Sequence, residues 1–468
     1  MQSNSRFMKY ILPILLFALI ISSCRKPNDI SGDTEARLSF STDTILFDTV
    51  FTEIGSTTKR FKIYNFNKKT VEISSIRVGT GSQSSFRVNI DGISNTQVTN
   101  YRLAAGDSAF VFAEVTIDPN NDAVPFIVSD SIIFETNGNI QDVNLVAFGQ
   151  NAHFYADSVL PCDIFWTNDL PYVIYNSVLV QKGCKLNIGN GVKIYNHKGS
   201  KIFVQGTLRV FGSKSDSVIF QTDRREEFLD DEPGQWGGIH FLRGSVDNRI
   251  NFAVIKNAIV GVRVDSLAES GSEFNVEIIN TTLKYHTVAG VLGFTGGIRV
   301  MNSLFFACNQ FAFIGLLGGK YHFFHNTIGN YNNVLSRNQP SVAISDNFDT
   351  GEELLIADVD ATFVNNIIYG PLKTEFVLNN DGGATLNLAF ETNIIRTEDT
   401  ALFSGSNNIL NLDPKFIDIG EENFRIDTLS PAFMAGTDVR LISGFLNRDK
   451  DNVDRPEIPT IGCFERVE

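Results

Sequence analysis

Apolar and polar residues alternate with a period of two along much of the chain. The runs Arg60–Asn65, Phe110–Ile117 and Asp142–Phe148 alternate clearly, and turn-forming residues separate one run from the next. A period of two places successive side chains on opposite faces of an extended strand, so each run predicts a β-strand. Short strands separated by turns at this spacing predict a β-sandwich over residues 36 to 150.

A second pattern repeats farther along the chain, where an alternating apolar run is followed by Asn and a small or β-branched residue. The repeated residues are Asn257, Asn280, Asn302, Asn326, Asn366 and Asn393. Their spacings are 23, 22 and 24 residues and then 40 and 27. A nearly fixed period of this size predicts one solenoid coil per repeat. The 40-residue step predicts a coil with an inserted loop, Gln339 to Asp360. Earlier runs such as Lys201–Leu208 lack the Asn but extend the predicted parallel β-helix over residues 155 to 412.

Stacking explains why Asn recurs at one position of each repeat. Coils of a β-helix lie about 4.8 Å apart, so equivalent residues stand directly above one another. An Asn at a bend can then bond to the next Asn and to its backbone, which forms a ladder. The six Asn residues are therefore predicted to be structural. The alternative is a chance series of Asn-containing turns in a β-sandwich.

The amino-acid composition supports the same fold class, and the net charge argues against one class of partner. The chain has 39 Phe and 37 Gly but only 4 Met and 2 Trp in 468 residues, and Phe favours strands and stacks well between coils. We therefore predict an all-β protein. The net charge of −14 argues against nucleic acid as a partner, because phosphate contacts require clustered Lys and Arg. We predict no cofactor and no metal.

The first 24 residues have the pattern of an export signal. Arg6 and Lys9 precede an apolar run from Tyr10 to Ile21, and small residues then lead to Cys24. This ending resembles the bacterial lipobox, which implies that Cys24 is lipidated and anchors the protein to a membrane. The resemblance to Bacteroidetes-type lipoproteins implies an outer-membrane location in the cell envelope. Residues 25 to 35 are predicted to be a tether. They lack the acidic cluster that often follows the Cys in surface-exposed members. The sequence therefore does not decide whether the protein faces the periplasm or the cell surface.

Two segments of the coil region resemble known β-helix proteins. The succession Leu186–Ile194, Lys201–Leu208 and Gln235–Phe241 resembles the opening of right-handed parallel β-helices of the pectin-lyase-like superfamily. Residues 413 to 468 resemble the closing pattern of such proteins, with Thr460 and Cys463 in place of the usual Asp and Ala. The resemblance implies that this segment caps the last coil, since an open end would expose apolar residues and an unpaired strand edge.

The β-sandwich segment resembles the Hydin and major-sperm-protein branch of Ig-like domains. The resemblance rests on the strand Phe61–Asn65, on Leu103–Ser108 before a strand and on the closing run Leu145–Gly149. It implies a spacer or protein-binding module without catalytic residues.

Candidate catalytic carboxylates are present but have no family motif around them. A glycosidase needs two carboxylates about 5–10 Å apart, and Asp247, Asp265 and Glu277 are unranked candidates for such a pair. Asp230 and Asp231 match one element of the polygalacturonases, but they lie in a charged segment, where solvation explains them better.

The His, Asp and Cys residues likewise show no motif of a metal site or of a reactive thiol. His322 and His325 are three apart on a predicted strand, so they point to opposite faces and do not converge on one ion. Asp449 to Asp454 lacks the Gly of a calcium loop and is predicted to be a surface turn. Cys162 and Cys184 are 22 residues apart, one coil, which is compatible with a disulfide or with two separate buried thiols. Cys308 and Cys463 are predicted to be small core residues.

Two functions fit the sequence. The first is a non-catalytic envelope lipoprotein that binds glycan or another envelope protein along one side of the β-helix, where Tyr195, Tyr285 and Tyr331 are candidate stacking residues. The second is a polysaccharide lyase or glycoside hydrolase with an unfamiliar site. A compact acid–base cluster in a groove favours the enzyme, and a dispersed polar face favours the binder.

Overall fold

The computed structural model describes residues 30–95, 97–120, 125–267, 272–331, 337–404 and 406–466. In these ranges the only helices are three short 3-10 turns, Gly81–Gln83, Glu227–Leu229 and Gly444–Asn447. The all-β prediction is confirmed. None of the helices in the described ranges is long and apolar enough to cross a membrane. The chain divides into an N-terminal unit, Met1–Asn151, and a coil unit, Ala152–Glu468.

The N-terminal unit consists of two five-stranded sheets around one core. Its strands are β1 (Ser39–Phe40), β2 (Thr44–Phe51), β3 (Lys59–Tyr64), β4 (Val71–Val78), β5 (Phe86–Ile90), β6 (Ile93–Ser94), β7 (Gln97–Leu103), β8 (Ser108–Val115), β9 (Phe126–Thr136) and β10 (Asn139–Gln150). The sheet orders are β1-β3-β8-β5-β6 and β2-β10-β9-β4-β7. Neighbours are antiparallel except β2 and β10. Inward side chains of both sheets, including Phe47, Phe61 and Phe134, form one hydrophobic cluster.

Asn65, at the end of the strand that carries the Ig-like resemblance, is buried and joins two turns. Its side-chain amide donates hydrogen bonds to the carbonyl oxygens of Lys69, Leu103 and Ala104 at 2.9, 2.9 and 3.0 Å. A buried amide with three acceptors is well satisfied. This Asn therefore fixes the turn after β3 and the turn before β8.

The coil unit is a long series of short strands. They are β11 (His153–Val159), β12 (Ile164–Trp166), β13 (Tyr172–Val180), β14 (Lys185–Ile188), β15 (Lys193–Asn196), β16 (Lys201–Val204), β17 (Thr207–Phe211), β18 (Val218–Thr222), β19 (Gly238–Phe241), β20 (Asn248–Asn251), β21 (Ala253–Lys256), β22 (Val260–Asp265), β23 (Val276–Ile279), β24 (Thr282–His286), β25 (Ala289–Phe294), β26 (Gly297–Met301), β27 (Leu304–Cys308), β28 (Phe311–Leu316), β29 (Gly319–Phe324), β30 (Thr327–Gly329), β31 (Val342–Ser345), β32 (Asn347–Asp349), β33 (Leu354–Ile356), β34 (Val359–Val364), β35 (Ile367–Tyr369), β36 (Phe376–Asn379), β37 (Leu386–Glu391), β38 (Ile394–Ile395), β39 (Ile409–Leu410), β40 (Phe416–Asp418) and β41 (Asn423–Ile426).

Each full coil contributes three of these strands. One belongs to a nine-stranded sheet of order β12-β14-β17-β20-β23-β26-β29-β34-β37, and the other two belong to an eighteen-stranded sheet. Pairings between successive coils are parallel, as in β23 with β26 and β26 with β29. The antiparallel strand pairs described in this unit are the hairpins β32–β33 and β40–β41. The predicted long parallel sheets are confirmed, and their stacking is consistent with a β-helix.

The interior of the coils is a set of apolar columns. One inward column of the nine-stranded sheet consists of Ile188, Val210, Ile250, Ile278, Val300, Phe323 and Phe363. All seven are at most 1% exposed, and burial of one such side chain stabilises by about 1.5–3 kcal/mol. The rings of Phe323 and Phe363 stack with centroids 4.7 Å apart. This spacing is that of neighbouring strands, which explains the heavy use of Phe.

A hydrogen-bonded ladder runs along one corner of the coils, but it includes only half of the predicted Asn residues. The backbone N–H of Asn326 donates to the Asn366 side-chain oxygen, Asn366 N–H to Asn393 and Asn393 N–H to Asn408, at 2.8–3.0 Å. In earlier coils Ser303 and then Thr281 take the same position. The hydroxyl oxygen of Ser or Thr replaces the Asn oxygen there.

Asn280, Asn302 and Asn257 lie outside this ladder, which corrects the prediction. Asn280 and Asn302 are one residue earlier than the ladder position and have left-handed backbone, with φ of 50° and 49°, a conformation that Asn tolerates well. Asn257 is at another corner, where its amide donates to the carbonyl oxygens of Asp230 and Glu232. The error arose because Asn serves both as a left-handed corner residue and as a ladder residue.

The predicted insertion Gln339 to Asp360 is partly a regular coil. Its strand β31 pairs in parallel with β28, because Val342 and Ile344 are inward-facing residues within a polar segment. Within the described part of this insertion, the added element is the hairpin β32–β33.

Residues 413–466, here called the C-terminal strap, lie along the ladder corner, and Ile426 and Ala432 of the strap pack against Ile394 and Ile409 of the last coils. That this segment caps the last coil stays a prediction. Lys450 Nζ donates to the carbonyl of Asn280 at 2.6 Å, and Asn302 donates to the carbonyl of Phe445 at 2.9 Å. Phe403 also packs at the apolar end of the last coil, where its ring lies 4.9 Å from that of Phe390. The strap is needed along the side because the outward residues next to the corner are apolar.

Candidate functional site

The outward face of the nine-stranded sheet carries a column of charged side chains, here called the charged column. It consists of Arg209, Arg249, Glu277, Arg299 and His322, one residue on each of five successive strands. Each is flanked along its strand by inward, buried residues, so the period of two places its side chain on the solvent-facing side of the sheet. Neighbouring members are about 4.8 Å apart along the stacking axis.

Glu277 is held between two guanidinium groups. Arg249 donates to its Oε2 from Nη2 at 2.6 Å and from Nε at 3.0 Å, and Arg299 donates to its Oε1 from Nη1 at 3.3 Å. Charge-assisted bonds of this kind fix both partners in one geometry. Both carboxylate oxygens of Glu277 are therefore occupied.

A second row of charges runs beside the column. Glu273 accepts from Arg299 Nη2 at 2.8 Å and forms an ion pair with Lys320 at 2.9 Å. The hydrogen bond from Lys320 is the largest cause that lowers the pKa of Glu273. Asp360 lies 3.6 Å from Lys320 and 3.3 Å from the Nε2 atom of His322, and burial lowers the pKa of His322. Acids and bases thus alternate along this face.

Phe274 supports these cations from below. The Arg299 guanidinium lies 4.1 Å and the Lys320 ammonium 5.3 Å from the centre of its ring. Cations over an aromatic face are attracted by the ring quadrupole. Because Phe274 is itself buried, it orients the cations and offers no ring face to a ligand.

Arg209 differs from the other arginines of the column. Among the described residues no hydrogen bond or ion pair joins its guanidinium to a carboxylate. Burial, followed by the charge of Arg249, lowers its pKa, while Asp247 and Glu277 act in the opposite direction. Arg209 and these neighbours line a depression of about 220 Å³ together with Glu273, Phe274 and Arg299. Within the part of the chain that the structure describes, the Arg209 guanidinium in this depression therefore has no carboxylate bound to it.

The structure brings together two of the three carboxylates singled out from the sequence. Asp247 and Glu277 both line the depression. Asp265 lies on β22 of the other sheet, where it accepts from His240 at 2.6 Å and from Arg263 at 2.8 Å. Burial raises the pKa of Asp265, but these two hydrogen bonds outweigh it and leave the pKa below its usual value.

Asp230 is also removed from the charged column. Its carboxylate accepts a hydrogen bond from Lys256 at 2.6 Å, beside the corner of Asn257. Asp231 follows it in the same polar segment, away from the nine-stranded sheet. These acids therefore belong to the loop that Asn257 anchors.

A different acid–base pair lies on the eighteen-stranded sheet. His197 Nδ1 is 2.7 Å from the carboxylate of Asp223, and the imidazole stacks on Tyr175 at 3.9 Å. Burial raises the pKa of Asp223. Only the imidazole of this pair is substantially open to solvent.

The two strand histidines of the sequence do not form a pair. His322 faces outward in the charged column, whereas His325 is buried at the ladder corner against Asn365. No cluster of three or more metal-ligating side chains occurs among the described residues. The carboxylate of Asp449 accepts backbone N–H bonds from Asp451, Val453 and Glu465, so it organises a turn.

Cys162 and Cys184 form a disulfide across neighbouring coils, with Cα atoms 4.6 Å apart. Cys308 and Cys463 are buried free thiols, and burial raises the pKa of Cys463 to about 11. Cys24, the predicted lipidation site, lies outside the described residues.

The tyrosines proposed to stack on sugars are engaged elsewhere. Tyr195 is 2% exposed and lies under the guanidinium of Arg225. The Tyr285 hydroxyl bonds to Glu422 of the strap, and Tyr331 packs in apolar clusters of the strap. These residues do not offer a free ring face to a glycan.

The arginines of the column were missed because no motif marks them. Arg249 and Arg299 each stand between two inward residues of a strand, as in Asn248-Arg249-Ile250. A superposition of the repeats on their inward apolar positions, rather than on Asn, would have revealed the column.

No protein-family model and no curated protein matches this chain. Among solved structures, the catalytic unit of a thermostable GH87 alpha-1,3-glucanase from Streptomyces thermodiastaticus matches 72% of this chain and 73% of its own length, at 12% identity and a TM-score of 0.32. A protein of unknown function from Porphyromonas gingivalis matches 27% of this chain at 16% identity and a TM-score of 0.18, and this chain spans 60% of its length.

A PapD-like domain of human CEP192 matches 28% of this chain and 94% of its own length, at 11% identity and a TM-score of 0.18. All three TM-scores lie below 0.5, so these likenesses assign no function to the chain.

Proposed function

We propose that this protein is a non-catalytic, lipid-anchored protein of the bacterial cell envelope that binds a glycan along the charged column. In this proposal Cys24 carries the anchor at the outer membrane. The coil unit is a right-handed parallel β-helix of the pectin-lyase-like kind, and the N-terminal unit is an Ig-like spacer. Three parallel strands per coil and the buried Asn65 support these two assignments.

The observation that carries the proposal is the register of the charged column. Five charged or polar side chains stand on consecutive strands at intervals of about 4.8 Å. An extended polymer that lies along the stacking axis meets a donor or an acceptor at every strand. Sugar hydroxyl groups both donate and accept, so they match a face that carries arginine donors and the carboxylate acceptor of Glu277.

The state of the carboxylates favours binding over hydrolysis at this face. A glycosidase needs one carboxyl that keeps its proton near neutral pH and a second that acts as nucleophile or base. Both oxygens of Glu277 are occupied by arginines, and the Lys320 contact lowers the pKa of Glu273. Neither is arranged to donate a proton to a glycosidic oxygen.

The second candidate function is a polysaccharide lyase or glycoside hydrolase, and one observation favours it. Burial raises the pKa of Asp223, and its carboxylate lies 2.7 Å from Nδ1 of His197, whose imidazole is partly exposed to solvent. Such a couple can exchange a proton with a substrate. It lies on the other sheet, so the two functions use different faces.

A glycan array with the full chain in detergent tests the proposal. We expect binding to at least one class of polysaccharide, and a clear reduction for Arg249→Gln. Arg102→Gln is the matched control, because Arg102 forms a comparable ion pair with Glu72 on an exposed strand of the N-terminal unit.

The same preparation is assayed for reducing-sugar release and for unsaturated-uronate absorbance. We expect no turnover. Turnover that Asp223→Asn abolishes and Arg249→Gln leaves intact would establish the enzyme in place of the binder.

A further inference from the structure

The Arg209 end of the charged column has an excess of guanidinium groups over carboxylates that contact them. Arg249 donates hydrogen bonds to Glu277 from its Nε and Nη2 atoms, and Glu277 also accepts a hydrogen bond from Arg299. One carboxylate is thus shared by two arginines, while Arg209 contacts none. Another acid of the depression, Asp247, accepts from the Ser272 hydroxyl at 3.2 Å, and among the described residues it forms no ion pair with Arg209.

This arrangement is unfavourable for the protein alone. Two like charges close together in a partly buried site repel each other, and water screens them less than on an open surface. The direction of the Arg209 pKa shift agrees, because Arg249 is the second-largest cause after burial. An oxyanion that contacts both guanidiniums removes the repulsion and satisfies the fork of Arg209.

Aromatic rings flank the same end of the column. Phe211 is two residues after Arg209 on β17, so both side chains are on the outward face, and its ring is 49% exposed. Phe165 continues the register of the column through Asn187 and is 55% exposed. An exposed ring can pack against a sugar ring while the neighbouring guanidinium groups bind its negative charge, so the two features together suit an acidic sugar.

We infer that the glycan is acidic and that Arg209 and Arg249 form the seat for one oxyanion of it, a uronate carboxylate or a sulfate ester, while Phe211 packs against a sugar ring. This inference rests on the proposed function and specifies its ligand class. Arg209 makes a direct ligand contact, and Arg249 links the seat to the rest of the column through Glu277.

Binding of matched oligosaccharides to the full chain in detergent tests the inference. The probes are a galacturonate hexamer, a sulfated glucan hexamer without carboxylates and a neutral glucan hexamer, each with a fluorescent label, at 50 and 200 mM salt. Arg209→Gln is expected to weaken the acidic probe about tenfold, as for loss of a charge-assisted hydrogen bond, and to leave the neutral probe unchanged. Arg209→Lys is expected to restore part of the affinity.

Controls separate the seat from general effects. Phe211→Ala is expected to weaken every probe that binds, and Arg102→Gln to change none. The thermal midpoint of Arg209→Gln is expected to match or exceed that of the wild type, since Arg209 has no described hydrogen-bond or ion-pair partner in the protein. The acidic probe that binds more tightly identifies the oxyanion as carboxylate or sulfate.

Two results would overturn the inference in distinguishable ways. Equal binding of neutral and acidic probes, or acidic binding that Arg209→Gln leaves intact, contradicts the acidic seat and leaves glycan binding standing. A wild-type chain that binds none of the probes and nothing on the array contradicts both the seat and the proposed function.

Discussion

The charged column and the ladder corner belong to the same coils, but they are built in opposite ways. At the corner, buried hydrogen bonds join one coil to the next and apolar flanking residues lie under the C-terminal strap. On the nine-stranded sheet, charged side chains pair with one another and stay open to water. Exposed ion pairs stabilise proteins by only about 0–1 kcal/mol. The comparison therefore teaches that the corner holds the coils together and that the column is available for a ligand.

The largest expected effect is at the ladder. The Asn366 amide donates to the carbonyl of Phe323 and to the side chain of Asn393, and its oxygen accepts from the backbone N–H and the side chain of Asn326. Asn366→Ala leaves these buried groups without partners, each at a cost of about 1–3 kcal/mol. We expect the free energy of unfolding of the coil unit to fall by about 4 kcal/mol in urea denaturation.

Asn187→Ala is the matched control for the ladder. Asn187 is in the same coil unit but on the outward side of β14 and away from the ladder corner, and surface substitutions usually change stability by less than about 0.5 kcal/mol. A similar loss of unfolding free energy in Asn366→Ala and Asn187→Ala would show that stability is spread evenly over the coil. It would contradict the conclusion that the corner holds the coils together.

The strap gives the second-largest effect. Leu446 is fully buried and packs against Ile279, Met301 and Phe324, so Leu446→Ala is expected to lower the free energy of unfolding by about 3 kcal/mol. Leu441, in the same strap but entirely exposed, is the control, and Leu441→Ala is expected to have no measurable effect. Thermal denaturation of the two variants side by side checks this, and equal midpoints would contradict the strap's role.

A pH effect follows from the histidine at the corner. Asn365 Nδ2 donates to His325 Nε2 at 2.9 Å, while the Asn365 oxygen accepts from Thr392 and Thr437 and so cannot exchange places with the nitrogen. A proton on Nε2 would therefore face another donor. Burial lowers the pKa of His325 well below its usual value. The unfolded chain takes up this proton below pH about 6.5 and the folded chain does not.

Stability from this histidine is therefore complete above pH about 6.5 and decreases as the pH falls. The expected slope is about 1.4 kcal/mol per pH unit for one proton. His325→Gln is expected to reduce the slope of the unfolding free energy between pH 7 and pH 5 by about that amount in urea denaturation, while buried His286, whose pKa burial lowers to about 4, keeps its own contribution. His153→Gln, which changes an exposed histidine of the coil unit, is the control. An unchanged slope in His325→Gln would mean that the proton is taken up elsewhere.

The smallest stability effect is expected in the column itself. Glu277→Gln removes the charge shared by Arg249 and Arg299 but leaves a side chain of the same shape in a partly exposed ion pair. We expect a change of less than about 1 kcal/mol in the free energy of unfolding, together with weaker glycan binding on the array. A large loss of stability with unchanged binding would assign the column to the fold and not to a ligand.

Sequence reasoning predicted the strands because alternation reports directly which side of a sheet is buried. The all-β class and the long parallel sheets followed from runs such as Lys201–Leu208 and from the spacing of the repeats. The ladder was only half correct, since Asn326 fills the ladder position whereas Asn302 fills the left-handed position before it. Both positions select small polar residues, and the residue types alone do not distinguish them.

The charged column and the course of the strap could not be predicted in the same way. Arg209 and Glu277 become neighbours of Arg249 only when the coil register is known, and that register follows the inward apolar residues. The strap resembles a closing segment in its residues, but its path depends on where the coils leave apolar groups uncovered. Met301 and Phe324 are two residues after Arg299 and His322, so the alternation places them on the outward face, and it does not reveal that the strap buries them there.

The strap also sets an order of events during synthesis. Residues 413–466 leave the ribosome after every coil that they cover, so the sides of the earlier coils stay bare until the chain has grown past them. Met301 and Phe324 are then open to water or to other chains for that interval. Nascent chains that end before Leu446 keep these apolar residues exposed. They are therefore expected to aggregate or to be degraded rather than to persist as shorter coils.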